Sequence, residues 1–146
     1  MLGFIKNFLK TYIFKHRGTT RLVFLFPKYG FVIKIPNFTY SMQMFLLGCY
    51  CNWNERVITK QFSNCSSDEC KHIYDKIAPT YFCSWLGIIS IQKYVYVLSV
   101  NSLNDDDKAM FTCVTNDFNY RNFGYTLDEK TGEFDKLVCL DYGNPL

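Results

Sequence analysis

No stretch of this chain approaches the ~20 consecutive apolar residues that a bilayer-spanning helix needs, so no membrane-spanning helix is expected. Nor does the chain open like a secretory leader, because lysines are distributed through residues 1–16 rather than placed ahead of an apolar run. Charge of one sign is scarce: 16 Lys and Arg against 13 Asp and Glu leave a net charge of +3. Without a basic run, that balance argues against nucleic-acid binding and leaves a mild preference for anions, which a nucleotide triphosphate would satisfy. Repeats, low-complexity segments and linkers are lacking. So is any Cys-x2-Cys pair, although there are seven cysteines, an odd count. Reduced thiols in a cytosolic compartment are the simpler expectation. Zinc held by Cys49 and Cys51, or by Cys65 and Cys70 with His72, is the alternative, against the spacing that zinc ribbons favour.

The 146 residues are enough for one domain with a proper core. Half of the chain is apolar, with 14 Phe and 11 Tyr, so it is expected to fold. Residues 2–14 carry Leu2, Ile5, Leu9 and Tyr12 at helical spacing, with Lys6 and Lys10 on the other face. This amphipathic helix would pack on its own domain, a partner or a membrane surface, and His16, Arg17 and Gly18 read as its basic end. Residues 21–36 read as two strands joined by a Pro/Gly turn. A helix is expected over about 41–62, kinked near Gly48, then a polar loop over 63–68 and a short helix or turn over 69–77. Strands follow at about 78–83 and 87–98. Asn104 and the acidic run Asp105 to Asp107 start a helix reaching about Val114. Residues 128–134 form a hairpin tip between strands over 123–126 and 136–140.

Chemistry concentrates in five residues. Lys34 stands on a β-branched strand, and Glu55 follows 21 residues later on the long helix. Asp117 and Asn122 are separated by four residues, and Asp141-Tyr-Gly closes an apolar strand. In this order and context they resemble the site of the protein-kinase-like superfamily over residues 19–143, and more loosely the short kinase-like proteins of bacteriophages. The resemblance implies an α+β fold: a kinase-like N-lobe, with an antiparallel sheet and an αC-like helix, and a reduced C-terminal part with a catalytic-loop hairpin. It divides one domain over 1–146 into the helix 1–18, the N-lobe-like part 19–100 and the reduced C-lobe 101–146. It implies that Lys34 and Glu55 orient the phosphates of ATP, with Gln92 and Lys93 on the strand leading to the hinge as further nucleotide contacts. Asn122 and Asp141 would hold Mg²⁺, and Asp117 would accept the hydroxyl proton.

Departures from the pattern matter equally. No Gly-x-Gly-x-x-Gly precedes Lys34, Thr115 and Asn116 stand where His-Arg is usual, and only three residues follow Gly143. Without a substrate lobe the expected activity is binding of a host or partner protein in the cytoplasm, as an inhibitor, decoy or regulator, with or without Mg-nucleotide. An active minimal phosphotransferase is the alternative, and a zinc-bound interaction module the third.

Overall fold

A computed structural model describes residues 15–17, 19–97, 103–128 and 130–143. Its first sheet has five strands: β1 (Lys15–Arg17), β2 (Arg21–Phe26), β3 (Phe31–Pro36), β4 (Thr80–Cys83) and β5 (Ser90–Lys93). They lie in the order β1-β2-β3-β5-β4, and every neighbouring pair is antiparallel. Pro27 opens a 3-10 turn between β2 and β3, and the Gly30 N–H closes it on the Pro27 carbonyl at 3.1 Å. The helix expected over residues 2–14 lies outside the described residues. Its expected basic end does not: residues 15–17 are strand and pair with Leu22 to Phe24, because ladder bonds to β2 satisfy that backbone.

Helix α1 (Met42–Ser63) crosses the sheet against β3 and β4. Ser41 caps it, its hydroxyl oxygen accepting from the Met44 N–H at 3.2 Å. The helix is unbroken at Gly48, where a kink was expected. Glycine is there for proximity instead: a β-carbon would collide with the Thr20 carbonyl and sit 3.0 Å from the Pro36 Cα. Helix α2 (Asp68–Tyr74) follows, capped by Ser67.

The second sheet comprises β6 (Tyr96–Val97), β7 (Phe123–Leu127) and β8 (Phe134–Cys139), in the order β6-β7-β8. The single strand expected over 87–98 is therefore two strands in different sheets, parted at Tyr94 and Val95. Helix α3 (Asp105–Phe111) carries the capping box of Asn104 and Asp107 and ends three residues short of Val114. Its three acids are a solvated first turn. Phe111 meets Phe123 edge-on at 5.0 Å in a core with Ile77, Cys139 and Tyr142. The end of β8 is sewn to the segment before β4, with Cys139 N–H to Lys76 O at 2.8 Å and Ala78 N–H to Cys139 O at 2.9 Å. That seam carries Asp141 to the first sheet. The α+β class expected from the sequence is what the structure has.

Candidate functional site

Strand alternation decides which side chains face α1. On β3, Val32, Lys34 and Pro36 are buried, and Lys34 is paired with Val23 on β2 and Ser90 on β5. By the same register Arg21, Ser90, Gln92 and Thr80 share that face, and all are buried. The layer between sheet and helix is thus polar. The helix answers in kind, turning Gly48, Cys51, Asn52, Glu55 and Thr59 inward.

Glu55 is fully buried between two cations. The Lys34 ammonium donates to both its oxygens, at 2.9 and 3.0 Å, and to the Leu140 carbonyl at 2.8 Å. Those are the three hydrogens an ammonium has. The Arg21 guanidinium donates to Glu55 Oε1 at 2.8 Å and to Asn52 Oδ1 at 3.4 Å, and its other nitrogen is ion-paired with Asp141. Asn52 in turn donates to the Gly87 carbonyl at 2.8 Å. Two cations face two carboxylates, so the cluster is neutral as a unit, the condition under which buried charge is tolerated. Burial works against the Arg21 charge, but the Glu55 and Asp141 carboxylates outweigh it and raise its pKa. Burial likewise opposes the Asp141 carboxylate, and Arg21 and Lys34 together still hold it below the usual range. For Lys34 burial prevails over Glu55, so its ammonium is easier to deprotonate than an exposed one.

The last residues of the cluster are anchored by Tyr142. Its hydroxyl donates to the Ala78 carbonyl at 2.7 Å and lies 2.9 Å from Thr59 Oγ1 and 3.3 Å from Thr80 Oγ1. Burial pushes its titration well above that of an ordinary tyrosine. Gly143 packs so closely on α1 that a β-carbon would collide with the Cys51 carbonyl and lie 2.8 Å from the Glu55 Cγ.

The expected site residues separate into two groups. Lys34, Glu55 and Asp141 come together, and Asn122 is next to them through its backbone, its carbonyl accepting from the Leu140 N–H at 2.7 Å. Gln92 joins them as a clip rather than at a surface: its amide donates to the carbonyls of Ala78 at 2.9 Å and Leu140 at 3.1 Å. Lys93 pairs with Phe31 on the opposite face of the sheet from Lys34. Asp117 is exposed, and its carboxylate accepts from the Asn119 N–H at 3.1 Å, as a turn-forming aspartate does. Among the described residues it makes no bond to the cluster. Arg21, Asn52 and Tyr142 were not anticipated. Parity could have flagged Arg21, which opens an otherwise apolar strand on the face of the lysine's partner Val23.

A magnesium ion seeks oxygen ligands, usually one or two carboxylates with waters and phosphates. Here one carboxylate oxygen of Asp141 is paired with Arg21, and the Lys34 ammonium is committed to Glu55 and the Leu140 carbonyl. Among the described residues no three His, Cys, Asp or Glu side chains converge on a metal position. Zinc loses one of its proposed pairs, since Cys65 and Cys70 form a disulfide, which also departs from the expected reduced state.

A second feature lies on the outer side of α1. Met42, Leu46, Tyr50, Trp53 and Val57 are exposed along one stripe, and Trp85 and Leu86 project beside it, Trp85 being 88% exposed. Cys49, Tyr50, Trp53, Trp85 and Leu86 line a cavity of about 340 Å³. None of these is charged, so the cavity suits apolar side chains and not a phosphate. The helix is amphipathic in reverse, polar inward and apolar outward. No helix among the described residues is long and apolar enough to cross a membrane. Comparison with protein-family models, curated proteins and solved structures found no match.

Proposed function

We propose that this chain is a kinase-like-fold protein that acts by binding a partner protein, as a regulator, inhibitor or decoy, and not by moving phosphate. One observation carries this reading: Arg21 satisfies Glu55 and Asp141 from within, and Lys34 spends all its donors internally. The sheet, the helix and the Asp-Tyr-Gly segment of a kinase-like site then serve as a brace. The uncharged stripe of α1 supports the choice of a protein as ligand.

The reading is tested by thermal-shift titration with ATP, with and without Mg²⁺. Saturation to ~100-fold over Kd would add about 2.7 kcal/mol, several degrees in a domain of this size. No shift at millimolar Mg-ATP is expected. A Mg²⁺-dependent shift would overturn the proposal in favour of a minimal phosphotransferase. That second reading draws support from the Lys34–Glu55 ion pair at 2.9 Å and from the Asn122 carbonyl bonded beside Asp141.

A further inference from the structure

We infer that the outer stripe of α1 is a self-association surface, on which a second copy of this chain docks with its own α1 antiparallel across a two-fold axis. The inference rests on the reading that the chain works by protein contact, and it names the partner at this face.

The spacing selects a helix as the occupant. Leu46, Tyr50, Trp53 and Val57 follow intervals of four, three and four residues, the a/d rhythm by which one helix seats side chains between those of another. All four are exposed on a helix whose inward face is filled by other residues. The seam would otherwise leave its apolar area in water at roughly 25 cal/mol per Å².

Symmetry selects a second copy. In an isologous contact the same patch must meet itself reversed. Reversing α1 about the midpoint between Cys49 and Tyr50 places Met42 opposite Val57, Leu46 opposite Trp53, and Tyr50 opposite Cys49, its neighbour in the uncharged cavity, so each seam residue meets an uncharged one. Charge permits it: from Met42 to Asn54 there is no Lys, Arg, Asp or Glu, so two identical faces carry nothing to repel each other. Arg56, the first cation after it, is turned away and donates to the Thr80 carbonyl at 2.7 Å. Composition fits as well. The stripe and the Trp85 turn together present seven exposed apolar side chains, three of them Tyr or Trp, the residue types that interfaces of standard size favour. The turn is held against the helix by the Asn52 bond to Gly87, so Trp85 is a fixed wall beside the seam.

The test is the molar mass in solution by light scattering and sedimentation, at roughly 100 µM protein, above the micromolar Kd at the weak end for interfaces of standard size. Wild type is expected as a dimer. Trp53→Asp and Leu46→Lys, both at exposed helix positions that leave the fold intact by circular dichroism, are expected to shift the equilibrium towards monomer, with Kd weakened at least tenfold. Paired cysteines at Met42→Cys and Val57→Cys in a Cys49→Ser, Cys113→Ser background should cross-link two chains, whereas Met42→Cys alone should not. A wild-type monomer, a dimer indifferent to both charge substitutions, or open-ended growth beyond the dimer would each overturn the inference. A monomer without response to Mg-ATP would discard self-association and leave partner binding standing. A dimer stabilised by Mg-ATP would do the reverse.

Discussion

Arg21 and Asp141 are 120 residues apart in the chain and ion-paired in the fold. Arg21 is on the second strand of the first sheet, and Asp141 follows the last strand of the second. Their contact, with Glu55 between, closes sheet, helix and C-terminal segment into one unit.

Arg21→Met removes one cation and leaves the Glu55 and Asp141 carboxylates with only Lys34. Breaking a buried pair from one side costs about 3–5 kcal/mol. Urea unfolding should show that loss, and Arg21→Lys should recover only part of it, since an ammonium cannot span Glu55, Asn52 and Asp141 as a fork does. Stability within 1 kcal/mol of wild type, roughly the worth of a surface pair, would show that the brace carries nothing.

The pH dependence follows from Asp141. Its folded pKa is depressed, so its contribution is fully present above the unfolded carboxylate value of about 3.9 and is lost as pH falls through the lower folded value. Denaturation monitored between neutral pH and about pH 2 should show stability dropping below about pH 4. Asp141→Asn should be less stable at neutral pH and flatter across that acid range.

Gly48→Ala should reverse the usual helix rule. Alanine in a helix interior normally gains up to about 1 kcal/mol over glycine, but here its methyl meets the Thr20 carbonyl and Pro36. Overpacking of this kind costs about 1–3 kcal/mol. A calorimetric melting temperature above wild type would contradict the close approach.

Tyr142→Phe deletes one hydroxyl and takes from the Thr80 hydroxyl its contact with it, while the Ala78 carbonyl keeps the Gln92 amide and the Thr59 hydroxyl keeps the Thr80 N–H. A loss of about 1–3 kcal/mol is expected. In wild type the phenol absorbance change of Tyr142 should lag behind that of exposed tyrosines in an alkaline titration, because burial raises its pKa.

Local signals were legible wherever local chemistry decides structure. Ser41 announced α1, Asn104 and the aspartates announced α3, and the Pro27 to Gly30 turn announced the β2–β3 hairpin, because caps and turns depend on residues within one turn of each other. Lys34 and Glu55 were legible as a pair only through the resemblance, which sets a strand lysine and a helix glutamate 21 residues apart in that order. The meaning of Gly48 was not legible: a helix-breaking residue and a close-packing residue look alike until the neighbouring strand is in place.

From the sequence alone came the α+β class, the span of the main helix to within a residue, and three members of the central cluster. Only the tertiary structure decided the rest, because charge pairing across long chain distances depends on strand order and register. Arg21 reads as an ordinary strand-end arginine until β2 lies beside β3 and β8 brings Asp141 to it. The reversed polarity of α1 has the same origin. Its apolar residues turn outward because the sheet beneath presents Arg21, Lys34 and Gln92, and polar side chains must meet them there.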